Sequence, residues 1–182
     1  MKVERAQILD NQTYAERRPA IRERMLFEKR RRRIHLGSHL TFLFENAETV
    51  RYQVQEMLRI EGRTGEADVE HELATYNELL GDAGELGCTL LIEIDDPAER
   101  ERALAEWLDL PGHLYAVRAD GTRAPAVYDP RQVGEDRLSS VQYLKFRVGD
   151  APPLRLGCSL PAIAGEVELD ADQRAALAED LA

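Results

Sequence analysis

The strongest periodic signal in the chain lies between residues 47 and 61. Val50, Val54, Met57 and Leu58 recur at i, i+4, i+7 and i+8, the spacing of one apolar stripe on a helix. The opposite side carries Glu48, Arg51, Gln55 and Arg59, Asn46 stands at the N-cap position, and Gly62 ends the element. A second helix is expected from Glu66 to Leu80, with Val69, Leu73, Tyr76 and Leu80 inward and Gly81 as its C-cap. Upstream, Thr13 and Glu16 form a capping box that starts a short turn at 13–17. Pro19 falls too deep for that turn to continue, so a new helix is expected to begin at Pro19 and run to about Arg31.

Period two appears next. Ile34 to Leu36 and Leu40 to Phe44 alternate around Gly37-Ser38-His39. A two-residue turn would pair Ile34 with Thr41. A three-residue turn pairs Leu36 with Leu40 and Ile34 with Phe42, which keeps the apolar side chains on one face, and that register is preferred. Cys88 to Ile94 is a near-continuous apolar run, as in a central strand. Asp96, Pro97 and Glu99 start a helix that turns Ala103, Leu104, Trp107 and Leu108 inward, and Pro111-Gly112 stops it. The rest reads as strands: a hairpin of 113–118 and 123–128 about Asp120-Gly121, then 139–148 and 154–160. Asp170 and Gln173 cap a last helix carrying Leu177 and Leu181, so that 165–182 is expected to dock as a C-terminal helix. Helices and strands do not alternate regularly. The expected fold is α+β, one domain over 1–182, with a mostly antiparallel sheet and helices packed on one face.

Composition narrows the function classes. The 182 residues are 43% apolar and 32% charged, which suits a folded chain with a highly charged surface. The first residues are charged and no run approaches the ~20 apolar residues of a membrane span, so the cytoplasm is the expected location. Cys88 and Cys158 form no CxxC pair, which argues against a Cys-rich metal site; two small buried thiols are expected. No G-x-G-x-x-G, P-loop or G-x-S-x-G stretch occurs, so no cofactor is evident.

Charge is uneven. Residues 1–63 hold 14 Lys/Arg and 9 Asp/Glu, while the remainder holds 10 and 25, within a net charge of −10. Lys29, Arg30, Arg31, Arg32 and Arg33 are five consecutive cations and candidates for anion binding. They lack interleaved aromatics, and the chain is acidic overall, which argues against nucleic acid. A helix end with solvated or carboxylate-paired cations is the simpler reading. Asp68 and His71 share the i, i+3 spacing of a metal-binding helix but occur once, and His35 and His39 flank a turn; surface histidines are the simpler reading of both. The polar face around residues 45–59 supplies candidate ligand contacts in Glu45, Arg51, Gln55, Glu56 and Arg59, joined by Tyr76 and Asn77 from the next helix.

Several strings together carry a resemblance: Tyr14-x-x-x-Arg18-Pro19, Arg31-Arg32-Arg33, Leu43-Phe44-Glu45-Asn46, the run Val50 to Arg59, and Glu72-Leu73-x-x-Tyr76-Asn77. They resemble an uncharacterised bacterial family, a domain of unknown function of about this length. The resemblance implies an accessory role in a redox or oxidative-stress module, with rubrerythrin or an iron–sulfur oxidoreductase as the expected protein partner. It assigns no catalytic residue. A His-Pro pair expected near the last strands is here Leu160-Pro161. Three functions follow as expectations: partner binding, a small-molecule or metal-binding enzyme built on the 45–59 residues, and anion or nucleic-acid binding by 29–33.

Overall fold

The computed structural model describes residues 2–182. Among them eight strands form one sheet in the order β1-β2-β3-β6-β5-β4-β7-β8, with every pairing antiparallel. These are β1 (Arg33–Leu36), β2 (Leu40–Glu45), β3 (Glu85–Ile92), β4 (Leu114–Val117), β5 (Arg123–Val127), β6 (Val141–Arg147), β7 (Arg155–Cys158) and β8 (Gly165–Glu168). The chain is thus α+β with an antiparallel sheet, as the element order predicts. The first hairpin takes the three-residue turn, pairing Leu36 with Leu40 and Ile34 with Phe42. Gly37 supplies the left-handed residue at φ 61°.

The two edge strands of the sheet come into contact. A methyl group on Gly165 of β8 would lie 3.7 Å from Leu36 Cδ1 of β1. The sheet therefore curls around its apolar face. Phe42, Phe44, Leu90, Leu144, Phe146 and Leu156 fill that face. Helix α4 (Pro97–Glu106) adds Leu104, the short α5 (Leu110–His113) adds Leu110, and α6 (Ala171–Leu181) adds Leu177. Each such side chain contributes about 1.5–3 kcal/mol by leaving water. A smaller cluster joins α2 (Ala47–Glu61) to α3 (Glu66–Asn77) through Val50, Val54, Leu58, Val69 and Leu73, with Val3 and Ile8 of the N-terminal segment packed on it.

Several boundaries differ from the pattern. The helix begun at Pro97 ends at Glu106, before Pro111-Gly112, which lie inside the short α5 instead of stopping it. Residues 11–31 form one helix, α1 (Asn11–Arg31), with Pro19 inside it. Asp10, not Thr13, is the cap, accepting from the Thr13 N–H at 2.9 Å. The proline leaves the Ala15 carbonyl without a helical donor, but both residues are exposed and water can serve it. Tyr14 and Arg18, either side of Ala15, are both anchored to Glu56 of α2, which holds the helix line across the proline. Helix α3 stops at Asn77, with Glu78 rather than Gly81 as its cap residue, although Leu80 is still buried. Strand β3 starts at Glu85 and stops at Ile92, two residues short of Ile94. The C-terminal helix occupies 171–181, and 165–168 is the edge strand β8, whose single apolar residue, Val167, leaves no alternation to read.

Candidate functional site

The polar residues of α2 and α3 hold chain segments together. Glu56 accepts from Tyr14 Oη at 2.6 Å, from Arg18 Nε and Nη2 at 2.8 and 2.9 Å, and from Arg59 Nη2 at 3.3 Å. The Arg18 hydrogen bonds, against the cost of burial and with help from Tyr14, hold the Glu56 carboxyl down to about 2. Burial and the neighbouring carboxylate push the Tyr14 hydroxyl well above its ordinary value. Gln55 clamps the Leu9 backbone, accepting from its N–H at 2.6 Å and donating to its C=O at 3.2 Å. Asn77 clamps Val3 in the same way, at 2.8 and 3.0 Å. Glu45 joins Thr49 (2.6 Å) to Thr89 (2.8 Å). The candidate residues of 45–59 and 76–77 therefore do not share one cavity. Arg51 and Gln55 line a groove between α1 and α2, Tyr76 lines a separate cleft, and Glu45, Glu56 and Asn77 tie elements together.

Glu56 carries a pH prediction. Its carboxyl is depressed in the folded chain, so the unfolded chain takes up the proton first. Its stabilisation is present above about pH 5 and lost as pH falls toward 2. Glu56→Gln is expected to lower stability by about 2 kcal/mol at neutral pH. It should also flatten the fall between pH 5 and 2 in urea titrations; an unchanged acid limb would show that the ties to α1 are not stabilising.

The arginine run is divided. Arg31 pairs with Glu179 at 2.7 Å, and the buried Arg32 reaches Asp180 at 2.8 Å and Glu28 at 2.5 Å. Lys29 Nζ lies 5.3 Å from the Tyr52 ring centroid, and Arg30 5.6 Å from that of Phe27. Arg30 and Arg33 are exposed. His71 is exposed, and Asp68 lies 3.8 Å from Arg63. His35 Nδ1 is 2.8 Å from Thr41 Oγ1, and His39 Nδ1 is 3.3 Å from the Glu93 carbonyl. Among the described residues no group of three His, Cys, Asp or Glu is placed to hold a metal ion. Cys88 and Cys158 are buried free thiols, and burial pushes both thiols up. No helix among the described residues is long and apolar enough to cross a membrane.

A half-open cleft of about 700 Å³ lies on the opposite side of the sheet from the core. It lies over the convex face of β5 and β6, between the end of α3 and the 129–132 loop. Alternation places it there: Gln142, Leu144 and Phe146 face the core, so Tyr143 and Lys145 face out, with Val127 opposite Lys145. Thr75, Tyr76 and Leu79 form one wall, and Asp129 and Arg131 the other. Gln132 fixes that loop by acting as a substitute strand, donating to the Tyr143 C=O at 2.9 Å and accepting from its N–H at 2.8 Å. Burial raises the Tyr76 hydroxyl above its ordinary value, opposed by a Gln53 hydrogen bond. Val127, Arg131, Tyr143 and Lys145 are not among the sequence candidates. For Tyr143 the signal is present as the outward phase of β6, which turns a large aromatic to the face away from the core; Val127 and Arg131 lie outside β6 and carry no such signal.

A curled antiparallel sheet with two helical groups and an open aromatic cleft defines the class of protein. Residues 2–181 match the family described as protein of unknown function (DUF3501), and the chain belongs to that family. It is similar over 100% of both chains, at 31% identity and a TM-score of 0.91, to a novel protein of unknown function from Burkholderia pseudomallei K96243, whose crystal structure was determined at 1.90 Å. No curated protein matches the chain.

Proposed function

We propose that the protein binds a small molecule with a flat apolar body and a polar substituent in the cleft over β5 and β6. The observation that carries this is a pair of exposed apolar side chains inside the cleft. Tyr143 is 49% and Val127 42% exposed, on neighbouring strands of one face, with Tyr76, Lys145 and Arg131 around them. The volume is that of ligand sites, and a mainly apolar lining with a few convergent polar groups is their usual composition. Lys145 is drawn toward Glu85 at 3.9 Å and Arg131 is paired with Asp129 at 2.5 Å, so the lining is close to neutral and the rings contribute most of the contact.

The same exposure favours a second reading, an accessory protein that seats a side chain of a partner, such as the redox partner the resemblance implies, in this cleft. Native mass spectrometry on protein isolated gently from its own cells separates the two. A bound mass of a few hundred daltons that Tyr143→Ala abolishes supports the first, and a stoichiometric protein partner supports the second. In vitro, anilinonaphthalene sulfonate is expected to bind one-to-one, about tenfold more weakly after Tyr143→Ala. Dye binding that ignores this substitution would place the site elsewhere.

A further inference from the structure

A second cavity of about 420 Å³ lies between α1 and α2. Arg17, Ala20, Ile21 and Arg24 line it from α1 at helical spacing, and Arg51 lines it from α2. Among these lining residues three guanidinium groups face one carboxylate, Glu48, which already accepts from both Arg24 and Arg51. Arg17 has no ion-pair partner among the described residues, and Glu56 nearby is held by Arg18 and Arg59. Lys29 over Tyr52 adds a further cation beside the groove. The groove lining therefore carries more positive than negative charge, three guanidinium groups to one carboxylate, whereas in the 29–33 run Arg31 and Arg32 are neutralised by α6 and Arg30 and Arg33 lie exposed. The inner wall is apolar, with Leu9, Ile21 and the buried Met25.

We propose that this groove binds an organic anion, its carboxylate or phosphate head held by Arg17 and Arg51 and its short apolar body lying on Leu9, Ile21 and Met25. A guanidinium fork matches both head groups in geometry and charge. The apolar inner wall favours such a body over a bare inorganic ion. The site is independent of the cleft over β5 and β6.

The test is titration of the full chain with octanoate, octyl phosphate and the neutral octan-1-ol, followed by calorimetry and amide chemical shifts. At least one of the two anions should bind one-to-one, more weakly as salt rises, and octan-1-ol at least tenfold more weakly; the tighter of the two identifies the head group. Arg17→Gln with Arg51→Gln should weaken the anion about tenfold or more, and Tyr143→Ala should leave it unchanged. Ala20→Glu, at an exposed helical position, places a carboxylate on the rim and should abolish binding in a fully folded chain. The proposal is overturned if neither anion binds, if octan-1-ol binds as well, if Ala20→Glu binds normally, or if Arg30→Gln with Arg33→Gln removes as much affinity.

Discussion

Arg32→Ala is expected to destabilise the protein by about 3–5 kcal/mol and to release the C-terminal helix. Arg32 is 1% exposed. Its Nε and Nη2 donate to Asp180 at 2.8 Å each, and its Nη1 to Glu28 at 2.5 Å. Burial by itself would lower its pKa, but the Asp180 hydrogen bonds and charge outweigh that and hold the guanidinium ionised. Removing it leaves the Asp180 side chain, 8% exposed, with only the Asn46 amide at 3.0 Å to oppose its charge. An eleven-residue helix does not persist alone in water, so α6 depends on this pair and on Leu177. Arg31→Ala is the control: its partner Glu179 is 56% exposed, and such pairs contribute under about 1 kcal/mol. Urea unfolding measures the first effect and hydrogen exchange over 171–181 the second. Arg32→Met with Asp180→Leu should recover part of the loss, because no charge is then left buried. A loss below about 1 kcal/mol for Arg32→Ala would mean that α6 is held by its apolar contacts alone.

This ion cluster shows why some of the molecule is legible in the sequence and some is not. The register of the first hairpin is readable because only one pairing places Ile34, Leu36, Leu40 and Phe42 on one face, and the core requires it. The bounds of α2 are readable because Asn46 and Gly62 are local signals. Arg32 is different. Glu28 at i−4 is an ordinary helical pairing, but Asp180, the partner that buries the guanidinium, lies 148 positions away, so nothing near residue 32 distinguishes a buried arginine from the exposed Arg30 and Arg33 beside it. Gln55 and Asn77 are also polar positions on helix faces. What they touch is the backbone at Leu9 and Val3, and no side-chain pattern announces a backbone clamp. Pro19 misleads for the opposite reason: the local rule is sound, but two tertiary ties to Glu56 override it. The cleft is half legible. Alternation puts Tyr143 and Lys145 on the outward face of β6, yet only the path of 78–81 across β3 encloses that face.

That path predicts the second large effect, from Gly87→Ala. Gly87 faces outward from β3, and a methyl group there would stand 1.7 Å from the Leu79 carbonyl oxygen and 2.9 Å from its carbon. Both are backbone atoms, so no rotamer change relieves the clash, and the 78–81 segment must lift off the strand. Leu80, 8% exposed, would be drawn out of the α2–α3 cluster with it. Overpacking of this kind costs about 3 kcal/mol or more when the neighbour is main chain. Glu78 and Leu79 also line the cleft, so the same substitution should weaken anilinonaphthalene sulfonate binding although Tyr143 and Lys145, the latter the cross-strand neighbour of Gly87, are themselves unchanged. Gly112→Ala is the comparison, since its methyl group would meet only the Tyr128 hydroxyl at 3.5 Å, an ordinary contact. Chemical denaturation of the two variants, with dye titration under native conditions, measures both consequences together. If Gly87→Ala loses stability but keeps full dye affinity, the α3 wall is dispensable and the ligand is held by β5, β6 and the 129–132 loop. If it loses neither, the 78–81 segment can move without cost, and a cleft bounded by it would be a transient opening rather than a formed site.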